Sequence, residues 1–148
     1  MAHYAENRKA YFNYEILEKY EAGIELLGVE VKSVRGGKMS LEGAFVVVRG
    51  GEVFLINANV QPYQVNNMPQ DYDPLRNKKL LLTKKEITKL ADSEKNKSLT
   101  IVPISVYNKG RKIKVEIALV KGKKKQDKRE TIKKRETDRE IRREYKER

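Results

Sequence analysis

Lysine and arginine side chains, with tyrosines nearby, are the groups in this chain best suited to bind a ligand. Contacts to nucleic-acid phosphates need cations on a rigid surface, and base stacking needs aromatic rings beside them. The candidate cations in the body of the chain are Arg76, Lys78, Lys79, Lys84, Lys85, Lys112 and Lys114, and the candidate stacking rings are Tyr63, Tyr72 and Tyr107. By itself this pattern is a weak signal for a nucleic-acid surface. The plainer interpretation, in which the lysines are solvated and the tyrosines pack the rim of a barrel, is the more common one.

Glu21 is the acidic residue that could add specificity to such a surface. It precedes Ala22-Gly23, where a long extended segment is expected to kink or bulge, and its phase relative to Ala22 predicts an exposed side chain. A carboxylate on an RNA-binding face can accept a hydrogen bond from a base amino group or a ribose hydroxyl. Most surface glutamates have no such role, so the position of Glu21 alone does not show whether it binds RNA.

Residues 121–148 form a charged segment that cannot build a core of its own. They include 14 Lys or Arg and 7 Asp or Glu, and their only sizeable apolar side chains are Ile132, Ile141 and Tyr145. Ile132 and Ile141 fall on opposite faces of a helix with about 3.6 residues per turn, so no apolar stripe forms. We predict a tail that is disordered alone and becomes helical against a polyanion; a solubilising tail is the alternative.

Composition narrows the class of function. The formal net charge of +12 favours a nucleic-acid partner over a membrane, because the tail lacks an apolar interfacial face. The chain has no cysteine, and His3, expected in a frayed N-terminus, is its single histidine, so thiolate metal sites and histidine-based catalysis are not expected. We predict no cofactor, metal or small-molecule substrate. The N-terminus has no apolar signal core, and a cytoplasmic protein is expected.

Alternating apolar residues predict antiparallel strands. Ile113, Val115, Ile117 and Leu119 alternate with Lys112, Lys114, Glu116 and Ala118. The preceding strand, Leu99–Tyr107, shifts its apolar phase at Pro103, which predicts a bulge or an edge position there. Asn108-Lys109-Gly110 is expected to join these two strands as a hairpin. A second hairpin pairs residues 44–49 with residues 52–57 around two glycines.

Two helices are predicted among the strands. A short helix over Glu30–Arg35 ends at a glycine, and a clearer one begins at Thr83, which forms a capping box with Glu86. Residues 62–79 show no periodicity and are expected to form a long loop. The chain is therefore predicted to be mainly β with short helices: a small antiparallel barrel of the oligonucleotide-binding (OB) type over residues 1–120, and a basic tail over residues 121–148.

Several short motifs follow one another along nearly the whole chain; each is weak alone, but the ordered set is specific. They are Tyr20-Glu21-Ala22-Gly23-Ile24, Gly28-Val29-Glu30-Val31-Lys32-Ser33-Val34-Arg35, Gly51-Glu52, Pro62-Tyr63, Asp73-Pro74-Leu75-Arg76, Lys79-Leu80-Leu81-Leu82, Thr100-Ile101-Val102-Pro103, Lys114-Val115 and the run Lys121–Arg129. This set closely resembles the SsrA-binding proteins (small protein B).

The resemblance implies a non-enzymatic, OB-type barrel that binds the tRNA-like domain of transfer-messenger RNA (tmRNA), where it takes the place of the missing anticodon arm. It further implies delivery of tmRNA to ribosomes stalled on messages without a stop codon, in support of trans-translation. The family's tail enters the decoding centre and becomes helical in the empty messenger channel of the small subunit.

The resemblance also assigns residues. Glu21, Leu81 and Lys114 match positions that the family uses at the tmRNA face, although Leu81 could instead belong to the core. The RNA-binding set predicted from both arguments is Glu21, Arg76, Lys78, Lys79, Leu81, Thr83, Lys112 and Lys114. The set predicted to contact the ribosome is Lys123, Lys124, Gln126, Asp127, Lys128 and Arg129. The chain departs from the family pattern at Thr83, Ser98, Asn108 and Gln126.

Two other functions remain open from the residues. One is a ribosomal or general single-stranded RNA-binding barrel whose tail is a nonspecific basic arm. The other is a carboxylate- and metal-dependent nuclease built on Asp71 and Asp73, but these lie in a loop beside Arg76 and are interpreted as turn residues.

Overall fold

A computed structural model describes residues 3–62 and 72–122, which form nine strands and three helices. In chain order these are β1 (His3–Glu6), α1 (Arg8–Asn13), β2 (Tyr14–Ile24), α2 (Gly28–Arg35), β3 (Met39–Ser40), β4 (Phe45–Arg49), β5 (Glu52–Ile56), β6 (Asn59–Val60), β7 (Lys78–Leu81), α3 (Lys84–Glu94), β8 (Leu99–Lys109) and β9 (Lys112–Gly122). In this part of the chain, no helix is both long enough and apolar enough to span a membrane.

Six antiparallel strands close a barrel. Their order is β8-β4-β5-β7-β2-β9, and β9 pairs back onto β8. Closure leaves these strands without long free edges. Strand β1 adds to β8, and β3 pairs with β6 in a separate two-stranded sheet. The prediction of a mainly β fold with a small antiparallel barrel and short helices is confirmed.

The strand β9 runs through Gly122, which pairs with Tyr14, two residues past the predicted end of the barrel. The predicted tail from Lys123 onward, with its disorder and its bound helix, lies outside the described residues, as does Tyr63.

The two predicted hairpins are present. Lys109 pairs with Lys112, so the turn between β8 and β9 is Gly110-Arg111, slightly later than expected. Gly110 has a φ of +63°. The side-chain amide of Asn108 donates a 2.7 Å hydrogen bond to the Gly110 carbonyl oxygen. The bulge predicted near Pro103 is confirmed by a register shift between Pro103 and Ser105.

The irregularity in β2 was predicted at the wrong place. The register shifts between Ile16 and Glu18, whereas Ala22 and Gly23 pair regularly with β9. The glycine has a different purpose: a Cβ atom at position 23 would lie 3.2 Å from the Leu81 Cβ on the neighbouring strand. Gly23 therefore permits close approach of a side chain rather than a kink.

His3 lies in strand β1, contrary to the expectation that it lies in a frayed end. His3 pairs with Tyr107, and the Asn7 side chain donates a 3.1 Å hydrogen bond to the Pro103 carbonyl oxygen. Ala10 of α1 is buried in a small second core. The bulge in β8 exposes carbonyl groups that the N-terminal segment satisfies, which a propensity argument on the first residues does not reveal.

Both predicted helices are confirmed. Helix α2 begins two residues earlier than expected and ends at Gly36. At the start of α3, the Thr83 hydroxyl accepts a 3.2 Å hydrogen bond from the Glu86 amide, and the Glu86 carboxylate accepts one of 3.1 Å from the Thr83 amide. This is the predicted capping box, and it places Leu90 in the main core.

A buried carboxylate joins α2 to β7. Glu30 is fully buried and accepts a 2.7 Å hydrogen bond from the Leu27 amide and a 2.6 Å hydrogen bond from the Arg76 guanidinium. The Lys78 ammonium lies 4.0 Å from the same carboxylate and donates to the carbonyl oxygens of Ala58 and Arg76. We call Glu30, Arg76 and Lys78 the ion cluster.

The prediction that Lys78 contacts RNA phosphates is wrong, because its side chain is fully buried. Burial lowers the pKa of Lys78, while the nearby Glu30 acts in the opposite direction. Its neighbours on β7 explain the error: the side chains of a strand alternate, and Lys78 shares the inward face with Leu80.

We expect Glu30→Ala to lower the free energy of unfolding by about 3–5 kcal/mol, because it leaves the charge of Lys78 buried without its carboxylate. The matched control is Glu52→Ala, which breaks the exposed 3.2 Å pair between Glu52 and Lys79 and should cost about 1 kcal/mol or less. Urea unfolding monitored by circular dichroism measures both. Equal losses in the two variants would contradict the structural role of the ion cluster.

Candidate nucleic-acid interface

A row of paired residues crosses five strands on the outer face of the barrel. His3 pairs with Tyr107, Tyr107 with Lys114, Lys114 with Gly23, and Gly23 with Leu81. Residues directly opposite each other in adjacent strands project to the same face. Ile113 and Val115 belong to the main core, so Lys114 between them points outward, as predicted.

Leu81 lies on the surface. Its side chain is 49% exposed and sits over Gly23, where the absence of a Cβ atom leaves room for it. The alternative that Leu81 belongs to the core is wrong; its neighbour Leu80 is the buried residue. An exposed leucine beside Lys114 can cover the apolar face of a base or sugar while the lysine reaches a phosphate.

An open groove extends from this row towards α2 and the β8–β9 turn. We call it the basic groove. Its lining residues are Gly23, Ile24, Leu26, Val31, Arg35, Leu81, Arg111, Lys112, Ile113 and Lys114. Its lining combines five apolar side chains with four cations. This combination suits a nucleic-acid strand, whose phosphates are anionic and whose sugars and bases present apolar faces.

Two cations of the basic groove, Arg35 and Arg111, were absent from the predicted set. The Arg35 guanidinium donates a 3.1 Å hydrogen bond to the Arg111 carbonyl oxygen, which ties the end of α2 to the β8–β9 turn. Arg35 is the last residue of one of the family-like motifs, and Arg111 directly follows the glycine of the predicted turn. Both positions could therefore have been added to the predicted RNA-binding set from the sequence. Their proximity depends on a contact between residues 76 positions apart.

Glu21 stands two residues before Gly23 on the same strand. One carboxylate oxygen accepts a hydrogen bond from the Tyr107 hydroxyl, and the other lies 3.0 Å from the Lys109 ammonium. The hydrogen bond from Tyr107 lowers the pKa of the Glu21 carboxyl most, and the hydrogen bond from Lys109 lowers it further. Burial, together with the Glu21 carboxylate, raises the pKa of Tyr107. Glu21 is therefore an ionised acceptor on the surface at neutral pH.

The remaining predicted RNA-binding residues do not form one strip. Arg76 is committed to Glu30 in the ion cluster, Lys79 pairs with Glu52, and the hydroxyl of Thr83 is engaged in the α3 capping box. Lys84 and Lys85 are exposed in the first turn of α3, and Lys112 is exposed in the basic groove. The structure thus brings together Leu81, Lys112 and Lys114, with Glu21 beside them.

Two of the three candidate stacking tyrosines, Tyr72 and Tyr107, lie in the described residues. Tyr107 is 6% exposed, and the half-buried Tyr72 donates a 2.7 Å hydrogen bond to the Val60 carbonyl oxygen. Tyr107 is therefore buried, and the hydroxyl of Tyr72 is engaged with the backbone of β6. Asp73 accepts from the Leu75 amide at 2.9 Å, as a turn residue does. Within residues 3–62 and 72–122, no three His, Asp or Glu side chains are grouped as metal ligands.

We expect Leu81→Ala to lower the free energy of unfolding by about 1 kcal/mol or less, because half of the side chain is already in water. Leu80→Ala, the matched control on the same strand, should cost about 2–5 kcal/mol because it opens a cavity in the core. Chemical denaturation of both variants tests this. If Leu81→Ala lowers the free energy of unfolding as much as Leu80→Ala does, Leu81 contributes to the core and the prediction is contradicted.

Comparisons with known proteins agree with the fold and identify the family. The family model for SmpB protein matches residues 4–147. The SsrA-binding protein of Mesoplasma florum is 53% identical over 142 residues, covering 96% of this chain and 95% of that protein. The SsrA-binding protein of Gloeothece citriformis is 49% identical over 138 residues, covering 93% of this chain and 89% of that protein.

A solved structure is similar in three dimensions as well. One chain of a structure of tmRNA-SmpB at the center of the bacterial ribosome superposes with a TM-score of 0.68 and 42% sequence identity, covering 86% of this chain and 92% of that one. The family model, unlike the superposition, extends from strand β1 through nearly all of the basic segment. On these grounds the chain belongs to the SmpB protein family.

Proposed function

We propose that this protein is an RNA-binding adaptor that binds the tRNA-like domain of tmRNA and delivers it to stalled ribosomes for trans-translation. The observation that carries this proposal is the clustering of Leu81, Lys112 and Lys114 in one basic groove on the outside of a closed barrel. Its relatives are named for binding SsrA RNA, and the similar solved chain comes from tmRNA-SmpB on the ribosome. The protein takes no catalytic part and acts in the cytoplasm, where ribosomes translate.

The binding surface in this proposal is the basic groove with Glu21 at its edge. Lys112 and Lys114 contact phosphates, Leu81 covers an apolar face of the RNA, and Arg35 and Arg111 add two further cations. Arg76 and Lys78 act indirectly, since the ion cluster holds α2 against β7. The barrel of residues 1–120 binds tmRNA, and the tail, with Lys123, Lys124, Gln126, Asp127, Lys128 and Arg129, engages the decoding centre and messenger channel.

We expect the protein to bind tmRNA at least tenfold more tightly than an elongator tRNA of matched length, measured by filter binding at several salt concentrations. Lys114→Ala should weaken tmRNA binding and reduce the salt slope by about one unit, because one phosphate contact is lost. The matched control is Lys97→Ala, an exposed lysine beside the opposite end of β8, which should leave the slope unchanged.

Equal affinity for tmRNA and elongator tRNA would favour the alternative, a general single-stranded RNA-binding barrel. Selective binding with an unchanged slope in Lys114→Ala would retain the function and move the binding surface elsewhere.

We expect truncation after Lys125 to leave most of the affinity for tmRNA in place and to abolish peptide tagging on stalled ribosomes. The physical reason is that the basic groove, as defined above, consists of residues between Gly23 and Lys114, and the truncation removes none of them. The triple substitution Asp127→Ala, Lys128→Ala and Arg129→Ala should have the same effect on tagging in a reconstituted translation assay. If the truncated protein supports full tagging, the tail has no specific role on the ribosome and is a nonspecific basic arm.

A further inference from the structure

Glu21 is held by two partners of different mobility. Tyr107 donates its hydroxyl proton to one carboxylate oxygen, and the Lys109 ammonium lies 3.0 Å from the other. These two residues share one strand, β8, and approach Glu21 of β2 from across the intervening strand β9. The contact therefore spans three strands on the outer face of the barrel.

Tyr107 is the fixed partner. Its side chain is 6% exposed, and its backbone is paired with His3 on one side and with Lys114 on the other. The His3 ring contacts it edge-on at a centroid distance of 6.0 Å. A phenol in such a position has few conformations to lose, so it can orient the carboxylate at little entropic cost.

Lys109 is the mobile partner. Its side chain is 59% exposed at the end of β8, next to the turn. An exposed ion pair of this kind contributes about 1 kcal/mol or less, so an incoming hydrogen-bond donor can replace the ammonium. A lysine released beside Lys112 and Lys114 also adds a positive charge where the basic groove meets a polyanion.

Resting on the proposed function, we propose that Tyr107 is a positioning residue for RNA recognition and that Lys109 is a counter-ion exchanged during binding. Tyr107 keeps one Glu21 oxygen fixed while a neutral RNA donor, a ribose hydroxyl or a base amino group, replaces Lys109 on the other. The freed ammonium then neutralises a phosphate. This arrangement offsets the cost of bringing a carboxylate towards a polyanion, since the carboxylate accepts from one defined donor.

A purely structural role for the Tyr107–Glu21 contact is the competing explanation, and the chain contains a matched control for it. Glu18 also accepts from a tyrosine hydroxyl, that of Tyr20, and pairs with Lys89 at 3.1 Å. This second Tyr–Glu–Lys group joins β2 to α3, outside the basic groove. Tyr20→Phe therefore removes the same kind of hydroxyl contact at a site with no proposed RNA ligand.

The experiment measures the dissociation constant for tmRNA of Tyr107→Phe, Glu21→Ala and the double variant, with Tyr20→Phe as the control. We expect Tyr107→Phe to weaken binding about fivefold to tenfold, because the Glu21 carboxylate must then be immobilised during binding, and Tyr20→Phe to change it less than about twofold. In the Glu21→Ala background, Tyr107→Phe should have no further effect, because its only proposed action is through that carboxylate.

Lys109→Ala provides a second test that does not depend on a buried side chain. We expect it to reduce the salt slope of tmRNA binding by about one unit, as the loss of one phosphate contact does. Unfolding curves on all variants show whether each remains folded at the assay temperature. If Tyr107→Phe is unfolded, the Lys109→Ala slope decides the proposal alone.

Three results would overturn the inference: wild-type affinity in Tyr107→Phe, an undiminished effect of Tyr107→Phe in the Glu21→Ala background, or an unchanged slope in Lys109→Ala. If the wild-type protein prefers tmRNA to elongator tRNA, any of these results contradicts this inference while the proposed function stands. Absence of that preference in the wild-type protein would instead remove the proposed function.

Discussion

The contact on which the binding surface depends is the ion cluster, in which the buried Glu30 and Lys78 meet the half-buried Arg76. Charges inside a protein are tolerated only when they are paired and hydrogen-bonded, so Glu30 holds the start of α2 in one position against β7. At the far end of the same helix, Arg35 reaches the backbone of the β8–β9 turn. One short helix thus connects a buried charge network to the basic groove, and any shift of α2 would move a wall of that groove.

Closure of the barrel separates cations that look alike along the chain. Lys78 and Lys114 both lie in strands that contain apolar residues, yet Lys78 is fully buried and Lys114 faces outward and lines the basic groove. The period-two alternation of a strand decides which face each lysine occupies. Inside, a lysine serves the stability of the fold; outside, next to an exposed leucine, it suits RNA, because the surface is then basic and apolar at once.

The same chemistry appears twice with different consequences. A tyrosine hydroxyl and a lysine hold Glu18 where β2 meets α3, and another such pair holds Glu21 beside the basic groove. The first group joins two elements that cover the core. The second presents an ionised acceptor at a surface rich in cations, where a nucleic acid offers donors that a carboxylate can use. Location relative to the groove, rather than residue type, separates a structural contact from a proposed recognition contact.

The sequence by itself determined the local elements, the basic character and, through its ordered motifs, the family. The α3 capping box, both hairpins and the Pro103 bulge are interactions between near neighbours, so spacing was enough to predict them. Tertiary structure alone decided that His3 is in a strand, that Lys78 is buried, that Leu81 is exposed over Gly23, and that Arg35 and Arg111 join the site. Each depends on contacts between segments far apart in the chain, formed when the barrel closes, and no local pattern specifies which segments become neighbours.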